Sequence, residues 1–390
     1  MTKLSPEGQP LWSRSFGSTE ADAAVGLAVD DEDNVVVAAN FAGPVTIGAT
    51  EDVIDGVDAA LIKLDGEGTL LWHIILGYPN DPAAITTATD VTVDSQGNVI
   101  ATGHFTGGIY YDPAHVASGS AYADVFVVKV DAAQGGWLWN LELGGGDTYA
   151  LQGGSVAADR DDAVILTMAG EGAVTLPNET LNGSTEDDDL FLVRLDGATG
   201  IPTWGVPFAG PDDQQPGGLT IHHGEDEEPD TIWLAGAFAD ELDIPNGGEL
   251  QSQDDRDGFY ALLDATDGSP GLSGALAGPF DDVPQAVAIN RHGNATIIGY
   301  FESSLQGPDS NVIQATGGTD VFVLKLDPDG EVAWTLPFGG TLADEGVSVA
   351  ADVLGNVVVV GHFEHSIDFG CTEPLEAVGD SDFFVVKLAP

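Results

Sequence analysis

The chain has 390 residues, with 64 Asp and Glu against 10 Lys and Arg and a formal net charge of −54. That balance excludes nucleic acid and anionic membrane surfaces as expected partners, because their phosphates call for clustered cations. Hydrophobic residues make up 43%, so the chain can bury a core and is no disordered polyanion.

In chain order, the first element is KLSPEGQPLW, ending at Trp12. Its pattern returns as DAALIKLDGEGTLLW (58–72), DVFVVKVDAAQGGWLW (124–139), DLFLVRLDGATGIPTW (189–204) and DVFVLKLDPDGEVAW (320–334). A degenerate copy at 257–274 lacks both the Lys and the Trp, and the chain stops inside another copy, DFFVVKL (382–388). Between copies lie a Gly-rich loop, a short strand ending in Asp or a substitute (GLAVD, DVTVD, SVAAD, AVAIN), a tight turn, and an apolar strand ending in Gly-x-Phe. The turn is clearest at Asp94 to Asn98 and Asp352 to Asn356, where Gly suits the positive-φ position.

Val, Ile, Phe and Thr alternate over strand-length runs bounded by Gly, Asn, Asp and Pro, and no window carries a helical period. Each unit therefore predicts four antiparallel strands, a to d, in about 65 residues, within the range of propellers. The expected fold is all-β: a single six-bladed β-propeller. Its blades cover roughly 20–76, 84–143, 150–208, 216–277, 283–338, and 344–390 plus 1–16. The Trp12 strand is expected to complete the last blade, one N-terminal strand joining three C-terminal ones.

The single cysteine, Cys371, excludes an intrachain disulfide. No stretch reaches the length of a membrane-spanning helix. MTKLSPEG does not read as a signal peptide; it runs directly into the tail of a repeat, so a longer parent chain is expected, with a monomeric propeller inside it.

Five cations share one position of strand c: Lys63, Lys129, Arg194, Lys325 and Lys387. The expected role is an ion pair between blades, with Asp22, Asp282 or Asp344 as partner; the alternative is a ring of cations that binds an anion. Asp58, Asp124, Asp189, Asp257, Asp320 and Asp382 head strand c and should accept local backbone N–H bonds.

The pattern W-x-x-x-F-G-G … V-A-x-D-x-x-G-N-V-x-x-x-G-x-F … D-x-F-V-x-K-L-D-x-x-G resembles the SBBP family of bacterial β-propeller repeats, most closely over 334–388 and 90–139. The resemblance implies a propeller and an exported or surface-associated location, without an assigned reaction. The hairpin LDGATGIPTW is also similar to quinoprotein-type repeats.

No catalytic constellation emerges. Arg14, Arg160, Arg194, Arg256 and Arg291 fall at unrelated repeat positions, unlike the arginine cluster of a sialidase, and there is no Gly-x-Ser-x-Gly elbow. The acidic runs 30–33, 187–189 and 226–228 admit Ca2+ in loops, although none follows the EF-hand pattern. No other cofactor is expected. His104 and His362 share the Gly-His-Phe position, and His222-His223 closes a strand.

Binding is expected at the long b–c and d–a loops, such as 106–123, 239–256, 302–319 and 364–381. Tyr110, Tyr111 and Tyr149 would offer aromatic faces there to a protein or a glycan, with His104 and His362 as further candidates. The expected function is a non-catalytic binding module. The alternatives are a hydrolase or lyase with carboxylates at the channel mouth, and a purely structural repeat.

Overall fold

The computed structural model describes the chain except residues 53, 55, 78–80, 82, 113–114, 119–121, 145–147, 225–227, 246 and 371–372. Cys371 and the acidic residues 226–227 thus lie outside the described residues. Among the described residues there is no helix, and no helix is long and apolar enough to cross a membrane.

The chain opens with β1 (Thr2–Leu4) and β2 (Pro10–Ser13). The first blade follows: β3 (Asp22–Val29), β4 (Val35–Phe41), a side hairpin of β5 (Val45–Ile47) and β6 (Thr50–Asp52), then β7 (Asp58–Leu64) and β8 (Leu70–Leu76). The second has β9 (Ile85–Val93), β10 (Val99–Thr106), a side hairpin of β11 (Gly108–Asp112) and β12 (His115–Ser118), β13 (Asp124–Val130) and β14 (Trp137–Leu143). The third has β15 (Leu151–Ala158), β16 (Val164–Gly170), the short pair β17 (Val174–Thr175) and β18 (Thr180–Leu181), β19 (Asp189–Leu195) and β20 (Pro202–Phe208).

The fourth blade is β21 (Gln214–His222), β22 (Thr231–Ile244), β23 (Gly248–Asp264) and β24 (Pro270–Leu276). The fifth is β25 (Asp282–Ile289), β26 (Ala295–Gln306), β27 (Val312–Leu326) and β28 (Val332–Phe338). The last is β29 (Asp344–Ala351), β30 (Val357–Ile367) and β31 (Leu375–Leu388). These are the six up-and-down antiparallel sheets of a six-bladed β-propeller. Two compact units are distinguished: Met1–Thr180 with Val193–Thr203, and Leu181–Leu192 with Trp204–Pro390.

Strands b and c are covered on both faces, so β4 and β7 are buried at every residue. Strands a and d lie at the sheet edges and are only partly buried, β8 for example. The Gly of Gly-x-Phe is demanded by packing: a Cβ at Gly103 would lie 2.1 Å from Thr87 O and 2.7 Å from the Phe126 ring. The Phe after it is buried, as at Phe105, Phe238, Phe301 and Phe363.

Strand c's cation ties neighbouring blades. Lys63 Nζ lies 2.8 Å from Asp30 Oδ2, within its own blade, and donates to Ala132 O of the next blade at 3.0 Å. The Trp72 indole N–H reaches that same carbonyl at 3.2 Å. Lys129 repeats the arrangement with Asp94 and Gly197 O, each at 2.8 Å, and Trp139 joins it at 3.0 Å. Arg194 holds Asp159 at 2.8 Å, and Lys387 stands 3.5 Å from Asp352. In the fifth blade Asn290 stands where blades one, two, three and six have Asp; Lys325 donates to Gly355 O and lies over the Trp334 ring.

The acid is therefore the one that ends strand a, and not Asp22, Asp282 or Asp344, which begin it. Register explains this: Lys63 lies across β4 from Ala28, near the end of β3. Each acid also closes its turn. Asp30 Oδ1 accepts the Glu32 and Asn34 N–H groups, and Oδ2 accepts the Asn34 amide. Desolvation works against the Asp30 charge, but the bonds from Lys63, Asn34 and Glu32 hold its carboxyl below the usual range.

The last blade departs from the expected closure. Its sheet has three strands, and the Trp12 strand pairs instead with β1, Lys3 opposite Trp12 as Lys63 is opposite Trp72. Lys3 is thus a sixth member of the cation series. Lys3 Nζ and the Trp12 indole both donate to Gly66 O at 3.0 Å, so β1 and β2 dock on the first blade as a c–d hairpin. On β31 Phe383 is 80% exposed, whereas its register equivalents Val125 and Val321 are fully buried.

The expected loops 239–256, 302–319 and 364–381 are largely strand among their described residues. In these blades strands b and c run on as two-stranded arms beyond a bulge at a non-Gly residue of positive φ: Asp240, Ser303 and His365. The apolar residue two further on, Leu242, Leu305 or Ile367, is buried beneath the arm.

Lys129→Met would leave Asp94 buried without its cation. Urea unfolding should show a loss of roughly 3 kcal/mol, with part regained in Lys129→Met/Asp94→Asn. Because the Asp30 and Asp94 carboxyls are depressed in the fold, their contribution is complete above the ordinary carboxylate range. It is lost as pH falls below it, which acid titration of the unfolding midpoint reads.

Candidate functional site

The a–b and c–d turns, with their Asp, Lys and Trp, occupy one end of each blade. The opposite end carries the arms and the d–a connections, anchored by the aspartates that head strand c. Asp320 Oδ2 accepts the Thr316 N–H at 2.8 Å, and Asp382 Oδ2 accepts the Val378 N–H at 2.7 Å. Asp257 takes the Gln253 N–H at 2.7 Å and the Gly278 N–H at 3.2 Å. Asp189 takes the Ser184 and Gly210 N–H groups; its burial and then the charges of Asp187 and Asp188 push its carboxyl up. Asp58 packs against Gly77 and Asp124 against Gly144, each glycine just after strand d.

At this end of the fourth blade is an open cleft of about 500 Å³, lined by Asp212, Asp240, Ser252, Gln253, Asp255, Arg256 and Asp281. Four of these are carboxylates and one is a cation. They come from two d–a connections (Asp212, Asp281), the β22 bulge (Asp240) and the β23 arm (Asp255, Arg256). Arg256 is already engaged: its guanidinium bonds Asp281 and reaches Gln215 Oε1 at 3.4 Å. That bond holds the Asp281 carboxyl below the usual range and raises Arg256, and burial, opposed by Arg256, raises the neighbouring Tyr300. The free carboxylates leave the cleft anionic, fit for a cationic group.

The cleft borders a second acidic group through Asp212. One ligand oxygen each from Asp187, Asp212 and Asp213 lies within 4.8 Å of the others. Asp213 Oδ1 accepts the Asp188 N–H at 3.1 Å, which fixes the two turns against each other. Three carboxylates are fewer oxygens than Ca2+ takes, so a metal here would keep several waters. The run 187–189 is legible in the sequence; its meeting with 212–213 is not. Of the run 30–33, Asp30 is spent on Lys63.

Among the expected binding residues, Tyr111 presents no free face. It is 8% exposed, its ring lies 4.6 Å from that of Trp137, and its hydroxyl donates to Glu142 Oε1 at 2.8 Å. Tyr110 is half-buried, and its N–H is bonded to Gly77 O. The half-buried Tyr149 ring packs on Gly172. His104 is half-buried with its Nδ1 unbonded, and desolvation lowers its pKa. His362 stands 3.7 Å from Glu345, and His223 bonds Asp230 at 2.9 Å. Lys63, Lys129 and Lys325 are buried with their ammonium groups engaged, so they do not form an open ring for an anion.

No protein-family model matches the chain. It is 28% identical over 111 residues to the uncharacterized WD repeat-containing protein L264 of Acanthamoeba polyphaga mimivirus. The match spans 26% of this chain and 8% of that protein's length. Among solved structures, a Dyadobacter fermentans protein of unknown function is similar at 10% identity, over 90% of this chain and 95% of that one, with a TM-score of 0.45. The gluconolactonase XC5397 of Xanthomonas campestris is similar at 15% identity, over 88% and 84% of the chains, with a TM-score of 0.40. The quinohemoprotein alcohol dehydrogenase ADHIIG of Pseudomonas putida HK5 is similar at 13%, over 91% and 58%, with a TM-score of 0.42. These likenesses bear on neither substrate nor reaction.

Replacing Arg256 by Met should raise the titration midpoint of Asp281 towards the ordinary carboxylate value, because its main stabilising bond is gone. Carboxyl-carbon NMR of the two proteins reads the shift directly.

Proposed function

We propose that the chain is a non-catalytic binding module whose acidic cleft takes a cationic, Lys- or Arg-bearing segment of a protein partner. The observation that carries this reading is the cleft itself: Asp212, Asp240, Asp255 and Asp281 around one arginine that Asp281 already neutralises. Electrostatic complementarity of this kind favours fast, salt-sensitive capture of a basic partner. The arms make the cleft a shaped site, since Asp240 and Asp255 stand on paired strands rather than on a free loop. An exported or surface-associated bacterial protein, as the SBBP-like repeats suggest, is the setting we propose for it. A protein partner is preferred to a glycan, because the aromatic residues that would stack on sugars are packed into the blades.

Fluorescence anisotropy with a labelled Lys/Arg-rich peptide tests the reading. Asp240→Asn/Asp255→Asn should weaken binding about tenfold, and raised salt should weaken it further. The same charge change at the exposed Asp309 and Asp329 should have little effect. Equal losses in both double variants would mean diffuse attraction to a polyanion and would sink the proposal.

A further inference from the structure

Neighbouring blades meet along a repeated joint at the long-loop end. The residue that opens strand a pairs with the Phe of Gly-x-Phe, as Asp282 does with Phe301 and Asp344 with Phe363. It sits beside the Asp that heads strand c of the preceding blade. Thr86 N–H donates to Val57 O, just before Asp58; Leu151 N–H donates to Ala123 O, just before Asp124; Gln214 N–H donates to Asp188 O, just before Asp189. In these three joints the aspartate meets a hydroxyl, a methyl-bearing chain or an amide. In the next two it is another aspartate: Asp282 faces Gly278, whose N–H donates to Asp257, and Asp344 takes the N–H of Gly340 while the adjoining Gly339 packs on Asp320.

These four carboxyl groups are buried, none more than 1% exposed. Asp257 accepts two backbone N–H bonds, from Gln253 and Gly278. Among the described residues, Asp282 has no hydrogen-bond partner on either oxygen, and the Glu302 N–H beside it donates to Asp281 O. Asp320 and Asp344 each accept one N–H on Oδ2, from Thr316 and Gly340, and each leaves Oδ1 unbonded. The charged groups acting on Asp282 are Asp257, Asp281 and Glu302, all acidic, while Arg256 is turned to Asp281. Those acting on Asp344 are Asp320 and Glu364. Two adjacent carboxylates in such a place cannot both be ionised without a compensating positive charge.

We propose that each of these two joints is locked by one proton shared between its carboxyl groups, so that blades four to six carry a pH-sensitive latch. The proton is held on one oxygen and bonded to the facing carboxylate, which supplies the hydrogen bond that Asp282 Oδ and Asp344 Oδ1 lack. Gln214 is the chain's own analogue of the locked state, a neutral amide in the same register. The inference does not depend on what the cleft binds.

Burial, and then repulsion from Asp257, pushes the Asp282 carboxyl up to about 9; burial, with repulsion from Asp320, pushes Asp344 up to about 6. Both exceed the ordinary carboxylate value, so folding takes up protons. The stabilisation is complete below that ordinary value and is lost as pH rises, through about 6 at the Asp344 joint and about 9 at the Asp282 joint.

The test is thermal unfolding of the intact chain from about pH 5 to about pH 9.5, the window of those titrations. Asp282→Asn, Asp344→Asn and the double variant are compared with wild type and with the exposed control Asp380→Asn, each with and without EDTA. The wild-type midpoint should fall with rising pH more steeply than that of the double variant, which should be the more stable protein at the alkaline end by several degrees. The control should follow wild type, and EDTA should change nothing. If Asp282→Asn does not fold, Asp344→Asn still reads the second joint. Infrared spectroscopy of wild type at neutral pH reads the first, through a buried protonated-carboxyl band. Parallel pH curves, or absence of that band, would overturn the proposal. So would loss of wild-type stability in EDTA with Asn variants weakened at alkaline pH, which would place a metal ion between the carboxylates.

Discussion

One knot recurs from blade to blade. An aspartate at the end of strand a closes its own turn, receives the cation of strand c, and holds it where it can reach a backbone carbonyl of the next blade. The indole of the tryptophan opposite that cation on strand d often shares that carbonyl, as at Ala132, Gly197 and Gly66. A buried ion pair stabilises only when its remaining bonding capacity is met. Here it is met locally: the turn's N–H groups and the Asn34 amide serve Asp30, and carbonyls serve Lys63. With Lys3 included, six of the chain's ten Lys and Arg stand at this one position: Lys3, Lys63, Lys129, Arg194, Lys325 and Lys387.

The fourth and fifth blades show what stands at this position where the ion pair is absent. In the fourth, Leu262 stands in the cation's register and His222 in the acid's, so both charges are missing together. The adjacent His223 bonds Asp230, a local pair that needs nothing from strand c. In the fifth, Asn290 keeps the turn bonds to His292 and Asn294 without a charge, and Lys325 turns to Gly355 O and the Trp334 face. Other joints are tied without charge pairing. Asn40 bonds both the N–H and the carbonyl of Ala88, and Asp90 accepts the Val156 N–H.

Much of this architecture is legible in the residues. Alternation and turn chemistry locate every blade strand, because a half-buried strand needs period two and a tight turn needs Asp, Gly or Asn. The position of the acid could have been read too: Lys63 lies five residues into strand c, and antiparallel order brings that point beside the end of strand a. The Trp12 pairing turns on Lys3, whose place in the cation series shows that its own strand already supplies the partner. The arms have a sequence signal, an apolar residue four places after the Phe in GAFADEL, GYFESSL and GHFEHSI, which a loop would not need to bury. The cleft has none. Asp212, Asp240, Asp255 and Asp281 come from separate connections and arms, and only register brings them together.

The two ends of a blade thus divide the work of a very acidic chain. At the short-turn end most cations are consumed in knots, and their aspartates are neutralised. At the long-loop end, apart from Asp281 with its Arg256, most acids are left to backbone N–H groups, to one another, or to solvent. Where two meet in the interior, the fold must find a positive charge elsewhere, and where several meet at the surface they leave an anionic cleft. Both features follow from spending the few cations on holding blades together. The residues that make the fold cohere are for that reason not the ones available to a ligand, and recognition falls to the arms, where one arginine stands among four carboxylates.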